Sequence, residues 1–534
     1  MAVLQSAPAH DTSALKRVGN SLTRMLRSLS RREWLFLGML LLAYLFFLSP
    51  ANTNTISRYD MVSSLARGTA IIDDRASNTI DVSFYNGHYY SPRSIGLSLV
   101  AVPVLRVARA IAPVFGGAHA IELALSVNQP LTLEIALLSL FTVVPVALAA
   151  SVVFWRFVLR LRPELAGTPL PLVVTSAFAL GTFFYPIGTL FFSHAFGGGL
   201  DLIGFYLLYR ARTTVRPWLL VAGAGLLVGY AVISEYPTAL IALVLGAYVL
   251  FAFPGDRQYR LTLLLVFGAA MIPSALILGW YNWFAFGNPL HMSYEVVSDP
   301  QFAGQHQGRF GLTVPRPAAL WQILVWPRGL LVESPFLIFI VPGFWRWLRS
   351  AARPPAEALV CLAITILYAL LVSSYFLPMA GENLPGPRLL VPMLPFACLS
   401  LAWVVDDARR WLRGIFAVLL ACGLVLSFLY VALGVREYHT YLTYPIADLY
   451  WPLLSTGGVR LANGHTPPNL ARLLLHLDQG VSIYVLLIPL LVWTGYLVSA
   501  LLRYPKNTAT DTRDNARTPL TTAGGSTPSP ATHP

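Results

Sequence analysis

Between Ser57 and Pro103 an otherwise apolar chain crowds together Asp60, Asp73, Asp74, Asp81, Arg58, Arg67, Arg75, Arg93, His88, Tyr59, Tyr85, Tyr89 and Tyr90. A carboxylate or an imidazole can take the proton from an attacking hydroxyl. Arginine and tyrosine can neutralise and hydrogen-bond the charge that develops on a departing phosphate. The stretch therefore holds the side-chain types needed to move a group from a phosphate ester to a hydroxyl. Asp60 and Asp81 are the candidate proton acceptors, and His88 accompanies them in the run Asn86-Gly87-His88-Tyr89-Tyr90-Ser91-Pro92-Arg93. Arg58, Tyr59, Tyr89, Tyr90 and Arg93 are candidate ligands of the anion. Asp73 and Asp74 read as solvated turn residues.

Four further candidates stand at the ends of apolar segments. His194 lies in FFSHAFGGG, Glu235 precedes Tyr236-Pro237, Arg328 follows Trp326-Pro327, and Arg388 closes Gly386-Pro387-Arg388. Each has a plainer reading: a helix-end cap for His194, a partner for Glu333 in the case of Arg328, a snorkelling side chain for Arg388. Asp201 and Glu235 sit near span ends, where an unpaired charge is costly. Either they have structural partners or they line a cavity that substrate enters.

These residues must be positioned by a membrane-embedded scaffold. The chain has 534 residues, 56% hydrophobic and 11% charged, where soluble domains carry about 25% charged residues. Its mean hydropathy is +0.63. Apolar runs recur from Trp34 to Leu502, which predicts an all-α, polytopic helical membrane protein of about twelve spans. The net charge of +13 is not a nucleic-acid signal, because the arginines cluster at the ends of apolar segments as orientation signals do. Cys361, Cys398 and Cys422 all fall inside apolar segments, so neither a disulfide framework nor a zinc site is suggested.

The arginine clusters set an expected topology. Residues 1–33 form a basic cytoplasmic N-terminus, 34–502 the transmembrane body, and 503–534 a cytoplasmic, disordered tail rich in Thr, Pro and Ser. The first outer loop covers about 49–130, and later outer loops cover about 284–329, 376–388 and 436–481. Ile95–Val114 is interrupted by Pro103, Arg106 and Arg109. It reads as an interface helix within the first outer loop, since counting it as a span would invert the charge rule for every later segment. The expected location is the cell (plasma or inner) membrane, with both termini cytoplasmic.

The ordered set RYDMVSSLARG, NGHYYSPRSIGLSLVAVP, LFFSHAF, FGNPL, PRGLLVESP and GPRLLVPMLP resembles the C-type superfamily of integral-membrane glycosyltransferases. The likeness is greatest to the bacterial branch related to protein O-mannosyltransferases and the lipid A aminoarabinose transferase. The resemblance implies a polyprenyl-phosphate-sugar donor, a glycan, lipid or protein acceptor, and a catalytic carboxylate in the first outer loop. It implies lipid-phosphate contact for Arg93, and it aligns Arg58 and Tyr59 with the Arg-Tyr at the loop's start. Relatives place an acidic pair just before that Arg-Tyr, where this chain has Thr55-Ile56-Ser57, which leaves the base to Asp60 or Asp81. A divalent metal is compatible with the reading but not required by it. The competing classes are a transporter or flippase for a lipid-linked glycan and a catalytically silent membrane protein.

Overall fold

The computed structural model describes residues 29–48, 52–115, 130–379, 386–407, 409–433, 451, 469–477 and 479–504. The basic N-terminal segment through residue 28, most of the loop at 436–481 and the tail from 505 lie outside the described residues. So do 116–129 of the first loop and 380–385 of the third.

The body is a bundle of helices, apolar apart from α2: α1 (Arg31–Phe46), α2 (Thr53–Ala66), α3 (Ile95–Ile111), α4 (Val144–Leu161), α5 (Ser193–Ala211), α6 (Trp218–Ser234), α7 (Arg257–Phe286), α8 (Ala356–Ser374), α9 (Arg410–Leu433) and α10 (Tyr484–Arg503). Pro130–Leu138 leads into α4 through one π-helical turn. Six helices among the described residues are long and apolar enough to cross a membrane, and five shorter apolar helices accompany them. The protein is thus a polytopic helical membrane protein. Cys361 and Cys398 are buried, while Cys422 is exposed on α9.

Lipid tails are as apolar as leucine, so such helices associate through close packing rather than through water exclusion. Small residues supply the approach. A Cβ on Gly225 of α6 would lie 2.3 Å from the Phe267 carbonyl oxygen of α7, and one on Gly204 of α5 would lie 2.7 Å from Val228 of α6. Aromatic hydroxyls add directed contacts: Tyr44 donates to the Ala179 carbonyl at 2.9 Å, and Tyr185 to the Ala43 carbonyl at 3.0 Å.

One end of the bundle, near the C-terminus of α5, is tied by ion pairs. Arg162 bonds Asp406 at 2.6 Å, Arg346 pairs with Asp407, and Arg212 pairs with Glu357 beside Tyr248. Three of the arginines that read as orientation signals therefore also hold helix ends together. The other end carries the polar first loop.

That loop opens with a helix and a hairpin. Thr53–Ala66 is a full helix, started by Asn52, whose side-chain oxygen accepts from the Asn54 and Thr55 backbone N–H groups, both at 3.1 Å. Such a cap satisfies donors that the first helical turn leaves free. After α2 comes a hairpin of β1 (Ser83–Tyr85) and β2 (His88–Tyr90). Asn86 and Gly87 form its turn with φ of 48° and 83°, the left-handed pair that a two-residue Asn-Gly hairpin uses. The second loop docks on it, with the Ser83 hydroxyl donating to the Ser293 carbonyl at 2.8 Å.

Ile95–Val114 has the length and hydropathy of a span, yet both ends of α3 attach to the same end of the bundle. Tyr230, one turn before the end of α6, donates to the Gly96 carbonyl at 2.7 Å. Arg109 pairs with Glu134, in the helix leading into α4, at 2.8 Å. Glu134 belongs to that end, because Ser139 just beyond it donates to the Thr189 carbonyl at 2.7 Å, near the start of α5. A helix anchored in this way has both ends at one end of the bundle.

Candidate active site

Helix α2 presents Arg58 to the bundle. Its guanidinium donates to the Asn54 side chain at 3.3 Å, to the Ser94 carbonyl at 3.3 Å and to the Ser193 hydroxyl at 2.7 Å. Ser193 opens α5 and donates its own hydroxyl hydrogen bond to Glu235, just beyond α6. Antiparallel packing of α5 on α6 makes this meeting, since Gly197 lets its helix come within van der Waals contact of Glu235 Cβ. His194, the next residue of α5, has Nδ1 2.9 Å from Glu235 Oε2. Both side chains are more than nine-tenths buried.

Asp81 and Arg93 form the neighbouring ion pair. Arg93 Nε donates to Asp81 Oδ2 at 2.6 Å, and its Nη2 grips the same oxygen. The Ser57 hydroxyl holds the Asp81 backbone carbonyl at 2.7 Å and touches the Ser91 hydroxyl at 2.8 Å. That links α2 to both strands' flanks and sets where Arg93 leaves the chain.

Arg388 arrives from a distant part of the sequence. Gly386 has φ +80°, and a Cβ there would lie 1.9 Å from the Phe183 ring, so this turn needs glycine. The guanidinium lies 5.3 Å from the Phe192 ring centroid, and its Nε is buried without a hydrogen-bond partner. Arg93 stands within electrostatic range of both Arg58 and Arg388, and of Asp81, Tyr294 and Tyr375. Burial pulls Arg58 down to about 10, with Arg93 acting in the same sense and Glu235 opposing it. Arg58 is therefore still charged at neutral pH, in a neighbourhood where three guanidiniums face the carboxylates Asp81 and Glu235.

Not every residue singled out from sequence comes here. Asp60 leaves α2 about 200° around the helix from Arg58. It is wholly buried and takes one hydrogen bond, from the Asn78 amide at 3.1 Å, while Oδ2 is unpartnered. Tyr59 belongs to a separate cluster, bonding Glu134 and receiving a 2.9 Å bond from Arg109. His88 is exposed in a 2.7 Å pair with Asp73. Tyr89 is exposed against Phe84, and Tyr90 packs on Phe286. Arg328 is half-buried in the turn between the helices Pro317–Leu324 and Leu330–Glu333. The structure thus brings together Arg58, Asp81, Arg93, His194, Glu235 and Arg388, and does not bring Asp60, His88, Tyr59, Tyr89 or Tyr90 to them.

Tyr294 is no candidate from sequence, whereas Asp201 reads there as either partnered or cavity-lining. Tyr294, in the second loop, feels Arg93, Glu235, Arg58 and Asp81. Asp201, within α5, is fully buried with both carboxyl oxygens unpartnered, and the unpartnered hydroxyl of Tyr368 on α8 lies within its electrostatic range. Among the described residues no three His, Cys, Asp or Glu side chains gather as a metal-holding group.

Burial pushes the Asp60 carboxyl up to about 7, with Asn78 and Arg75 pulling the other way. The sign follows from linkage. Between roughly pH 4 and pH 7 the folded protein holds a proton that the unfolded chain releases, so stability falls as pH rises through that window. The loss is complete above about pH 7 and amounts to at most about 4 kcal/mol. Thermal unfolding of Asp60→Asn across pH 5–8 should lack this component, and the variant should be the more stable protein at pH 8. Parallel pH profiles for the two proteins would refute the assignment.

No protein-family model matches the chain, and no curated protein matches it. Among solved structures it is similar to ArnT from Cupriavidus metallidurans bound to undecaprenyl phosphate, at 16% identity and a TM-score of 0.47, over 91% of this chain and 80% of that one. The same protein in its apo state matches at 14% identity and a TM-score of 0.45, covering 94% and 80%. The archaeal oligosaccharyltransferase AglB from Archaeoglobus fulgidus, in complex with an inhibitory peptide and a dolichol-phosphate, matches at 12% identity and a TM-score of 0.47. That match covers 76% of this chain and 56% of AglB.

Proposed function

We propose that this chain is a membrane glycosyltransferase that moves a monosaccharide from a polyprenyl-phosphate donor to an acceptor hydroxyl of a glycan, lipid or protein. One observation carries the reading. Arg58, Arg93 and Arg388 converge at a single end of the bundle from three distant segments, and Arg388 keeps a buried Nε without a partner. An unpaired buried donor is costly unless a ligand meets it. Guanidinium groups suit phosphate because they are planar, permanently charged and able to donate in pairs. A lipid-borne phosphate can reach such a cluster directly from the bilayer.

On this reading the leaving phosphate rests against Arg388 and the free face of Arg93, with Arg58 behind them. The arginine-rich end opposite the site faces the cytoplasm, as do both termini, and the protein resides in the plasma or inner membrane. Residues 34–502 form the catalytic body.

The test uses the purified protein in lipid nanodiscs. Undecaprenyl phosphate should bind and protect the protein thermally, whereas undecaprenol should not. Undecaprenyl-phosphate-linked hexoses and pentoses, offered with a membrane extract, should release undecaprenyl phosphate for at least one sugar. Absence of both lipid-phosphate binding and donor turnover would end the transferase reading. Transport of intact lipid-linked sugar without cleavage would replace it with the flippase class.

A further inference from the structure

The acidic pair that the sequence resemblance leads one to expect before Arg58 is absent, and the two carboxylates named in its place are both engaged elsewhere. Asp60 points away from the arginines and toward Asn78. Asp81 is buried and gripped through Oδ2 by two nitrogens of Arg93, a charge-assisted pair that a proton taken up by Asp81 would weaken. Inside the arginine cluster one other arrangement fits a proton acceptor.

We infer that His194 and Glu235 form a catalytic dyad in which His194 Nε2 takes the proton from the acceptor hydroxyl. The inference rests on the transferase reading above. Glu235 Oε2 lies 2.9 Å from Nδ1, an ion-pair contact outside hydrogen-bond geometry, and is itself fixed by the Ser193 hydroxyl. A carboxylate this close to one ring nitrogen stabilises the imidazolium that forms when the other nitrogen is protonated. The ring stands beside Phe192 at the start of α5, facing Arg58 from α2, Arg388 from the Gly386-Pro387-Arg388 turn and Glu235 from the end of α6. The proposed base and the arginines that would hold the phosphate thereby stand in one neighbourhood.

The step balances as follows. The acceptor oxygen bonds to the anomeric carbon as His194 Nε2 takes its proton. The bond from that carbon to the phosphate oxygen breaks, and its electron pair leaves with the lipid phosphate. The anomeric configuration inverts, and the product phosphate rests against the arginines while the imidazolium is paired with Glu235.

The experiment follows release of undecaprenyl phosphate from the donor that the unmodified protein turns over, in nanodiscs with membrane extract. His194→Gln is expected to lower kcat by about 10²–10⁴-fold, with the Kd for undecaprenyl phosphate unchanged within about threefold. Asp60→Asn is expected to turn over donor at the wild-type rate. Glu235→Gln is expected to lower kcat and to move the acid limb of the pH–rate profile to lower pH, because it removes the negative charge that favours the imidazolium; a purely structural role would not move that limb. Wild-type turnover by His194→Gln, abolished turnover by Asp60→Asn, or an unmoved acid limb in Glu235→Gln each overturns the dyad and leaves the transferase reading standing. Failure of the unmodified protein to turn over any donor removes both.

Discussion

Replacing Arg388 with alanine should lower donor turnover by about 10²–10³-fold, the usual cost of removing one preorganised donor from a developing anion. The folded state should lose little. Among its described contacts Arg388 has the Phe192 ring, 5.3 Å away; a desolvated cation–π contact contributes about 2 kcal/mol, which relief of the buried, unpartnered Nε offsets. Arg93→Ala should behave differently. It strips the cation from Asp81, which is 2% exposed, and an orphaned buried charge costs about 3–5 kcal/mol. Activity and thermal stability should fall together in Arg93→Ala and separate in Arg388→Ala. Measurement of kcat, lipid-phosphate Kd and melting temperature on both variants decides the matter. Equal stability loss in the two would show that Arg388 is a structural strut rather than a phosphate ligand.

Gly96→Ala should be the most damaging change outside the charged cluster. An added Cβ would lie 2.2 Å from the Ser234 hydroxyl oxygen, 2.8 Å from the Ser234 nitrogen and 2.9 Å from the Ile233 carbonyl carbon. Two of those atoms are backbone of α6 and cannot rotate away, so the start of α3 must lift off. Overpacking of this kind costs about 1–3 kcal/mol or more. The functional effect should exceed that, because the same contact seats Ser94, which bonds both Arg58 and the Ser234 carbonyl. Lifting α3 therefore loosens Arg58 and the nearby Arg93 at once. Gly268→Ala is the control: nothing lies within 4 Å of that Cβ, and a mid-helix alanine should stabilise by about 0.5–1 kcal/mol. Comparable stability of the two variants, measured by thermal unfolding in detergent, would contradict the close approach of α3 to α6.

Some of the site was legible locally and went unread. Asn52 followed by Thr55 is a helix-start signal, and Asn86-Gly87 between alternating aromatics is a hairpin signal. Together they would have placed His88 on an exposed strand and Asp60 on a helix face opposite Arg58. Other parts had no local signature. Ser193 looks like any span-end serine until Arg58 and Glu235 close on it from two other helices. Tyr294 looks like a loop tyrosine until Ser293 docks against Ser83.

By itself the sequence determined the kind of molecule. Apolar runs of spanning length leave no soluble alternative, because backbone polar groups in lipid must bond within their own helix. It also determined which end of the chain's spans would be rich in chemistry, since charges avoid mid-bilayer depth and collect at the mouths. The tertiary structure alone decided which of those charges act together. Arg58 and Asp60, only two residues apart on α2, differ by about half a helical turn. Arg58, Asp81, His194, Glu235 and Arg388 meet only because α5 packs antiparallel on α6, Gly96 admits α3, and Gly386 turns the chain back toward Phe192. Those contacts depend on shapes of segments hundreds of residues apart, and no window of sequence contains them.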